Sequence, residues 1–528
     1  MAQRRAAMLW AAFGAIAAVS SVLVMHRPVS DRLSDLHIYY GAVRHAQAGH
    51  PLYEFVAENG GPFTYPPFAA LVLWPTGFVP EAVLQIAWLA LTCAAIAALA
   101  VAVGRVIPVG DSTRRVVIAA VACGVLLSAP AQSNLRFGQV SVFIVLLALT
   151  DAMGLTPSRY RGVLIGLAAA IKLTPLLFVV FFLVSRRYRD AARAGAAFLA
   201  CAAVGAAVLP SDSRTFWAGR MLDTSRIGDL ASLGNQSLHG MLLRVGVTEA
   251  ALPMLWAALV SIICGVALLR ARQMDGAGQP AHAAVLVGCA TVTASPVSWT
   301  HHQVWPVLAA MLLIGAAGAA RRVAGAVLLT VMILSLGAVL SEVSPTQGMQ
   351  FVFENARALG TVALCVVGFG GIALSVTARR GATRSRTWVR VATTAAAALA
   401  FVAVQPLPAG ADPTFKSYAL ADAHNPRYFF ACRTRAGCEE FLGDAPIRLA
   451  TASEKTKSRV NGVVDATVDR LEYRSAPGGA VRAITLVEMY PGQRMFSFRS
   501  ANLSHGRLVA YNAAGAPIAT YTEELVSA

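Results

Sequence analysis

The chain has 528 residues, 56% hydrophobic and only 13% charged, and it carries a formal net charge of +17. Soluble domains are about one-quarter charged, so this composition, with a mean hydropathy of +0.60, excludes an ordinary soluble enzyme and indicates repeated membrane spans. The positive charge does not indicate nucleic acid, because the arginines gather at the ends of apolar runs, as orientation of membrane helices requires.

Arg4 and Arg5 precede the first apolar run, Ala6 to Met25. The run is long and lacks a clear A-x-A cleavage site after it, so it reads as an anchor with a cytoplasmic N-terminus rather than a signal peptide. A large outer loop is expected from there to about Pro80, with a short apolar piece, Pro66 to Val79, at the interface. The loop opens with Ser34-Asp35-Leu36-His37-Ile38-Tyr39-Tyr40. Asp35 is an acid placed just beyond a span among aromatic residues, which makes it the candidate catalytic carboxylate. The alternatives are a loop-capping role and the neighbouring Asp31.

Spans are expected next near 81–104, 116–130 and 139–153, with Arg105, Arg114, Arg115, Arg159 and Arg161 on the inner side. The 161–185 stretch has arginines at both ends, closing with Arg186, Arg187 and Arg189, so it cannot cross once. Its midpoint, Ile171-Lys172-Leu173-Thr174-Pro175, favours a break at the proline, giving two short helices with Lys172 at their apex. A lysine inside an apolar segment is costly and marks function, unless it snorkels to the headgroups.

Further spans are expected near 190–209, 249–270, 281–299, 303–319, 323–341, 358–377 and 388–405, for a total of about thirteen. An odd number places the C-terminal region outside. Cys93, Cys123, Cys201, Cys264, Cys289 and Cys365 fall in apolar spans and read as packing residues. Cys432 and Cys438 lie in the polar C-terminal region, where an extracytoplasmic setting favours a disulfide over a metal site.

From about residue 406 the apolar runs shorten to strand length. Ala480 to Met489 reads as one strand, and Arg507 to Tyr511 with Pro517 to Tyr521 as a hairpin around Asn512-Ala513-Ala514-Gly515. Val460 to Tyr473 fits strand or helix. The expected division is a membrane unit, 1–405, and an extracytoplasmic α+β or β-rich domain, 406–528, with no motif that assigns it chemistry.

On this topology the polar loops share one face. They carry Asp35, then Phe63-Thr64-Tyr65-Pro66-Pro67, a loop near 130–139 with Arg136 and Gln139, a loop with Asn235-Gln236-Ser237, and Ser295-Pro296-Val297-Ser298-Trp299-Thr300-His301-His302. Lys172 is expected at that face too. No DxD-like acidic pair stands in these loops, so no metal site is expected.

The ordered set Asp35…Tyr39-Tyr40, Gly49…Pro51-Leu52-Tyr53, Phe63-Thr64-Tyr65-Pro66-Pro67, Phe137-Gly138-Gln139, Ile171-Lys172-Leu173-Thr174-Pro175, Asn235-Gln236-Ser237 and Ser295-Pro296-Val297-Ser298-Trp299…His301-His302 resembles glycosyltransferase family 87. The resemblance covers roughly residues 5–400 and leaves the tail unassigned. It implies an all-α polytopic membrane protein of GT-C type, using a polyprenyl-phosphate sugar as co-substrate and no cofactor. The family is typified by bacterial α-1,2-mannosyltransferases that build envelope glycolipids.

The resemblance also implies roles. Asp35 matches the first-loop carboxylate and would be general base in an inverting displacement. Lys172 would meet the leaving phosphate, assisted by Arg136 and by His301 or His302. Tyr39, Tyr65, Gln139, Asn235 and Trp299 would contact substrate. The expected partners are the lipid-linked donor, a glycolipid or glycan acceptor and the bilayer, at the outer face of the plasma membrane. An arabinofuranosyltransferase shares the same framework. A transporter would show internal repeats, of which none is visible, and a non-enzymatic scaffold would have a bland first loop.

Overall fold

The computed structural model describes residues 1–28, 31–57, 61–221, 223, 227, 230–248, 250–340 and 347–370, together with the strands and some connections between 418 and 521. Two compact units divide the chain, Met1–Leu407 and Pro408–Ala528.

The first unit is helical. The leading apolar run forms α1 (Ala2–Met25). The expected first loop is largely helical instead, with α2 (Ser34–Gln47) carrying Asp35 in its first turn. Next comes α3 (Pro67–Leu73), begun by a proline whose missing N–H costs nothing at a first helical position. The first long span after them is α4 (Glu81–Gly104). Two helices follow, α5 (Asp111–Leu127) and α6 (Ala129–Phe137), bent by 62° between them. The expected loop near 130–139 is therefore mostly helix. Ser128 caps it by accepting from the Ala131 N–H at 3.4 Å, and Gly138 ends it at φ +67°.

After α7 (Ser141–Ala152) the apolar stretch with arginines at both ends is broken as its sequence requires, into α8 (Val163–Ile171) and α9 (Leu176–Val184). Buried Asp151 accepts from the N–H groups of Gly162 and Ile165 and so fixes the start of α8. At its other end α8 delivers Lys172 into the turn.

The remaining helices are α10 (Tyr188–Val208), α11 (Pro210–Thr215), α12 (Leu238–Arg244), α13 (Leu252–Gly276), α14 (Pro280–Ala294), α15 (Val304–Ile314), α16 (Ala319–Ile333), α17 (Leu336–Leu340), α18 (Gln347–Glu354) and α19 (Ala356–Val367). Helices α14 and α15 form the centre and are buried along almost their whole lengths. They approach closely because Gly288 leaves room for the Trp305 ring.

The expected count of about thirteen spans is not confirmed among the described residues. Four helices, α1, α4, α10 and α13, are long and apolar enough to cross a membrane, or up to six if α5–α6 and α18–α19 each count as one bent span. This is a multi-pass membrane protein. Other apolar helices are shorter, 15 residues in α14 and 11 in α15, and these two are buried along almost their whole lengths. The span expected at 388–405 lies outside the described residues.

The second unit is antiparallel β. Its strands are β1 (Tyr418–Ala421), β2 (Phe429–Arg433), β3 (Gly437–Phe441), β4 (Ile447–Glu454), β5 (Lys457–Asp465), β6 (Arg470–Arg474), β7 (Val481–Ile484), β8 (Val487–Tyr490), β9 (Gln493–Ser500), β10 (Arg507–Tyr511) and β11 (Pro517–Tyr521). They form sheets in the orders β1-β2-β3, β4-β5-β9-β8 and β11-β10-β6-β7. The expected hairpin is β10–β11, where Gly515 takes φ +78° in the turn. The single strand expected from Ala480 to Met489 is two, β7 and β8, which pair into different sheets. Val464, Leu471, Phe496 and Leu508 fill a small core.

Candidate active site

The N-terminus of α2 is anchored on α6. Leu33, in the left-handed region at φ 45°, donates its N–H to the Arg136 carbonyl at 2.9 Å. A Cβ on Gly138 would stand 2.6 Å from that of Leu36, so the two segments meet as closely as glycine permits. This junction sets Gln139 beside Asp35.

A chain of polar contacts begins there. Gln139 donates its amide to an Asp35 carboxylate oxygen, and its own oxygen accepts from the Tyr65 hydroxyl at 3.1 Å. The Tyr65 and Tyr39 hydroxyls are 3.0 Å apart. Lys172 Nζ lies 3.5 Å from the Tyr65 oxygen and 5.3 Å from the centre of its ring. On its other side it is 2.7 Å from His302 Nε2. Five widely separated segments thus form one network around Asp35 and Lys172.

Burial sets the protonation states. It pushes the Asp35 carboxyl up to about 6, against the opposing pull of the Gln139 hydrogen bond and of Lys172. It draws the Lys172 ammonium down to about 7, with Asp35 opposing. Burial also raises Tyr39 and Tyr65, which stay phenols, and holds His301 and His302 well below the usual histidine range.

His302 is held on two sides, with Nδ1 3.2 Å from the Trp299 N–H and Nε2 2.7 Å from Lys172 Nζ, so its ring orients the lysine.

Other expected site residues stand differently. Arg136 binds Asp31 through Nη2, at 2.8 and 3.0 Å to the two carboxylate oxygens, and Arg27 holds Asp31 from its other side. Arg136 and the rival acid Asp31 thereby occupy one another outside the Lys172 network. Asn235 is fully buried and donates to the carbonyls of Leu230 and Pro296, while its oxygen accepts from the N–H groups of Ser237 and Ser298. Its hydrogen-bonding capacity is filled by backbone, so it shapes the 295–302 loop, where an isolated bridge also joins it to Trp299. The His301 carbonyl accepts from Asn134, and its buried Nε2 has no hydrogen-bond partner among the described residues.

Sequence reading missed two supports. His37 pairs with Glu81 at 2.7 Å, tying α2 to the start of α4. Asp212 accepts from the Leu52 N–H at 2.8 Å. Partners 44 and 160 positions apart leave no local signal. A small cavity beside the network is lined by Lys172, Thr174, Ser295 and His302, and Asp35 lies outside that lining. Among the described residues no three His, Cys, Asp or Glu side chains gather as a metal centre.

Comparison with known proteins identifies relatives. The model of Glycosyltransferase family 87 matches residues 63–298. A polyprenol-phosphate-mannose-dependent alpha-(1-2)-phosphatidylinositol pentamannoside mannosyltransferase of Mycolicibacterium smegmatis is 32% identical over 64% of this chain and 86% of its own length. Two polyprenol-phosphate-mannose-dependent alpha-(1-2)-phosphatidylinositol mannoside mannosyltransferases are also similar. That of Mycobacterium tuberculosis is 31% identical over 60% of this chain and 77% of its own length. That of M. smegmatis is 33% identical over 52% and 68%. No solved structure matches the chain.

Proposed function

The chain belongs to glycosyltransferase family 87, and we propose that it transfers mannose from a polyprenyl-phosphate donor to a hydroxyl of a phosphatidylinositol mannoside or related envelope glycolipid, forming an α-1,2 linkage. The observation that carries this reading is the partly buried network joining Asp35, a carboxylate with no ion-pair partner among the described residues, to Lys172 through Gln139 and Tyr65. Relatives whose names specify the donor and the acceptor class support the choice of sugar.

In the proposed reaction the acceptor oxygen attacks the anomeric carbon while Asp35 takes its proton. An acid held near 6 is ionised at neutral pH yet basic enough to accept. The bond from the anomeric carbon to phosphate oxygen breaks, and the phosphate leaves with one more negative charge. Lys172, in its ammonium form, meets that charge. The nearest rival acids are occupied, Asp31 by two arginines and Glu81 by His37. A single base supports one direct displacement, which inverts the anomeric centre. The arginine pattern supports an outer-face reaction at the plasma membrane.

The test is transfer in membranes bearing wild type or Asp35→Asn, offered polyprenyl-phosphate mannose and polyprenyl-phosphate arabinose in turn. Mannosyl transfer should fall roughly 10²- to 10⁴-fold in the variant, with the protein still folded. Undiminished transfer would remove Asp35 as base, and use of arabinose alone would replace the donor.

A further inference from the structure

A second cavity, with both polar and apolar walls, is bordered by Thr300 of the Thr300–His302 turn. It has a volume of about 160 Å³, space for about five waters. Arg357, Glu354, Thr300, Gln236, Gly234 and Phe353 are in its wall. Arg357 sits in the first turn of α19 and is only 6% exposed. Its guanidinium donates to the Thr300 hydroxyl at 3.1 Å, the Ser335 hydroxyl at 2.8 Å and the Val331 carbonyl at 3.3 Å. Among the described residues no carboxylate pairs with it. Glu354 faces the same cavity, and one of its carboxylate oxygens accepts from Gln350 at 2.8 Å.

An unneutralised cation in an apolar bundle is costly and calls for a counter-charge. The groups it bonds among the described residues are two neutral hydroxyls and a carbonyl, which orient the guanidinium without cancelling its charge. Thr300, having accepted from Arg357, keeps a hydroxyl proton to donate. The rest of the wall is built by motifs that the Asp35–Lys172 network leaves unused. Gln236 holds the α19 N-terminus through the Ala358 N–H at 3.2 Å and the α18 end through the Glu354 carbonyl at 2.7 Å.

We propose that this cavity binds the phosphodiester of an anionic glycolipid headgroup, with Arg357 as its cationic partner and Glu354 accepting from a neighbouring hydroxyl. The inference rests on the glycosyl-transfer reading and assigns the acceptor its own anion site. One turn then serves two anionic ligands. His302 faces Lys172 and the donor phosphate, and Thr300, two residues earlier, holds the arginine for the acceptor. A planar guanidinium suits a phosphodiester, which offers two oxygens side by side.

The experiment uses the purified full-length chain in nanodiscs, as wild type, Arg357→Gln and Arg357→Lys. Acceptors are a phosphatidylinositol mannoside and a neutral alkyl mannoside. In Arg357→Gln, KM for the phosphate-bearing acceptor should rise roughly ten- to hundredfold. KM for the donor and turnover of the neutral acceptor should not change, and Arg357→Lys should be intermediate. An equal loss with both acceptors, or a rise in donor KM, overturns the assignment. If Arg357→Gln does not fold, Arg357→Lys decides by the same contrast. Native mass spectrometry of bound phosphatidylinositol separates the two readings. Retention by wild type and Asp35→Asn but not by Arg357→Gln sustains the site even without sugar transfer. Mannosyl transfer with phosphatidylinositol retention indifferent to Arg357 leaves the enzyme standing and removes the site.

Discussion

Asp35 and Lys172 are buried together, and each shifts toward neutrality because burial penalises charge more than their mutual attraction rewards it. Catalysis by the proposed route needs the opposite pair of states, an ionised acid and a protonated amine. The value of kcat/KM should therefore rise with pH as Asp35 ionises near 6 and fall as Lys172 loses its proton near 7, giving a narrow bell. Donor phosphate stabilises the ammonium, so the alkaline limb of kcat should lie at higher pH than that of kcat/KM. Gln139 lowers the Asp35 value by donating to the carboxylate. Removing that donor in Gln139→Leu should move the acidic limb upward, and a limb that stays in place would show that another group titrates. At this scale the sequence identified both charged residues, since an acid beyond a span and a lysine inside an apolar stretch stand out singly. It did not reveal that Gln139 joins them, nor that Arg136 is occupied by Asp31, because those contacts connect residues more than a hundred positions apart.

Among the elements, α6 and the glycine that ends it do most to position the acid. Gly138 combines φ +67° with a neighbour 2.6 Å from its missing Cβ. Gly138→Val forces a β-branched residue into the left-handed region and drives it against Leu36, next to Asp35. It should cost about 1–3 kcal/mol, seen as a lower midpoint of thermal unfolding, and should reduce transfer. A stable and fully active variant would show that the α2–α6 junction does not set the acid. The break at Lys172 was legible because arginines at both ends forbid a single crossing and Pro175 cannot continue a helix. Helices α2 and α6 were not legible. Their residues are mixed polar and aromatic, as loop residues are, and they are held helical by anchoring on one another.

For the whole molecule, compartment and cross-linking are coupled. Antiparallel pairing sets Cys432 opposite Cys438 in β2 and β3. Paired Cα atoms in such a ladder lie about 4.5–5.5 Å apart, within the span a disulfide bridges. If the tail faces an oxidising compartment, alkylation of the unreduced, unfolded protein should label Cys93, Cys123, Cys201, Cys264, Cys289 and Cys365 and leave this pair unlabelled. Labelling of all eight cysteines would place the tail in a reducing compartment and contradict an outer-face reaction. The six are free thiols in the structure, three of them buried.

By itself the sequence determined a multi-pass helical membrane protein, its glycosyltransferase family and the two residues most exposed to chemical suspicion. Those properties are written in composition, charge placement and short motifs, which act locally along the chain. The tertiary structure alone decided which polar residues meet and which are consumed in holding loops. Arg357 shows why. In the sequence it is a lone arginine at the edge of an apolar run, like those that mark membrane ends. Folding buries it beside Thr300, 57 positions away, with no carboxylate to offset its charge among the described residues. A charge becomes a site only when the surroundings that desolvate and pair it are assembled, and those come from distant parts of the chain.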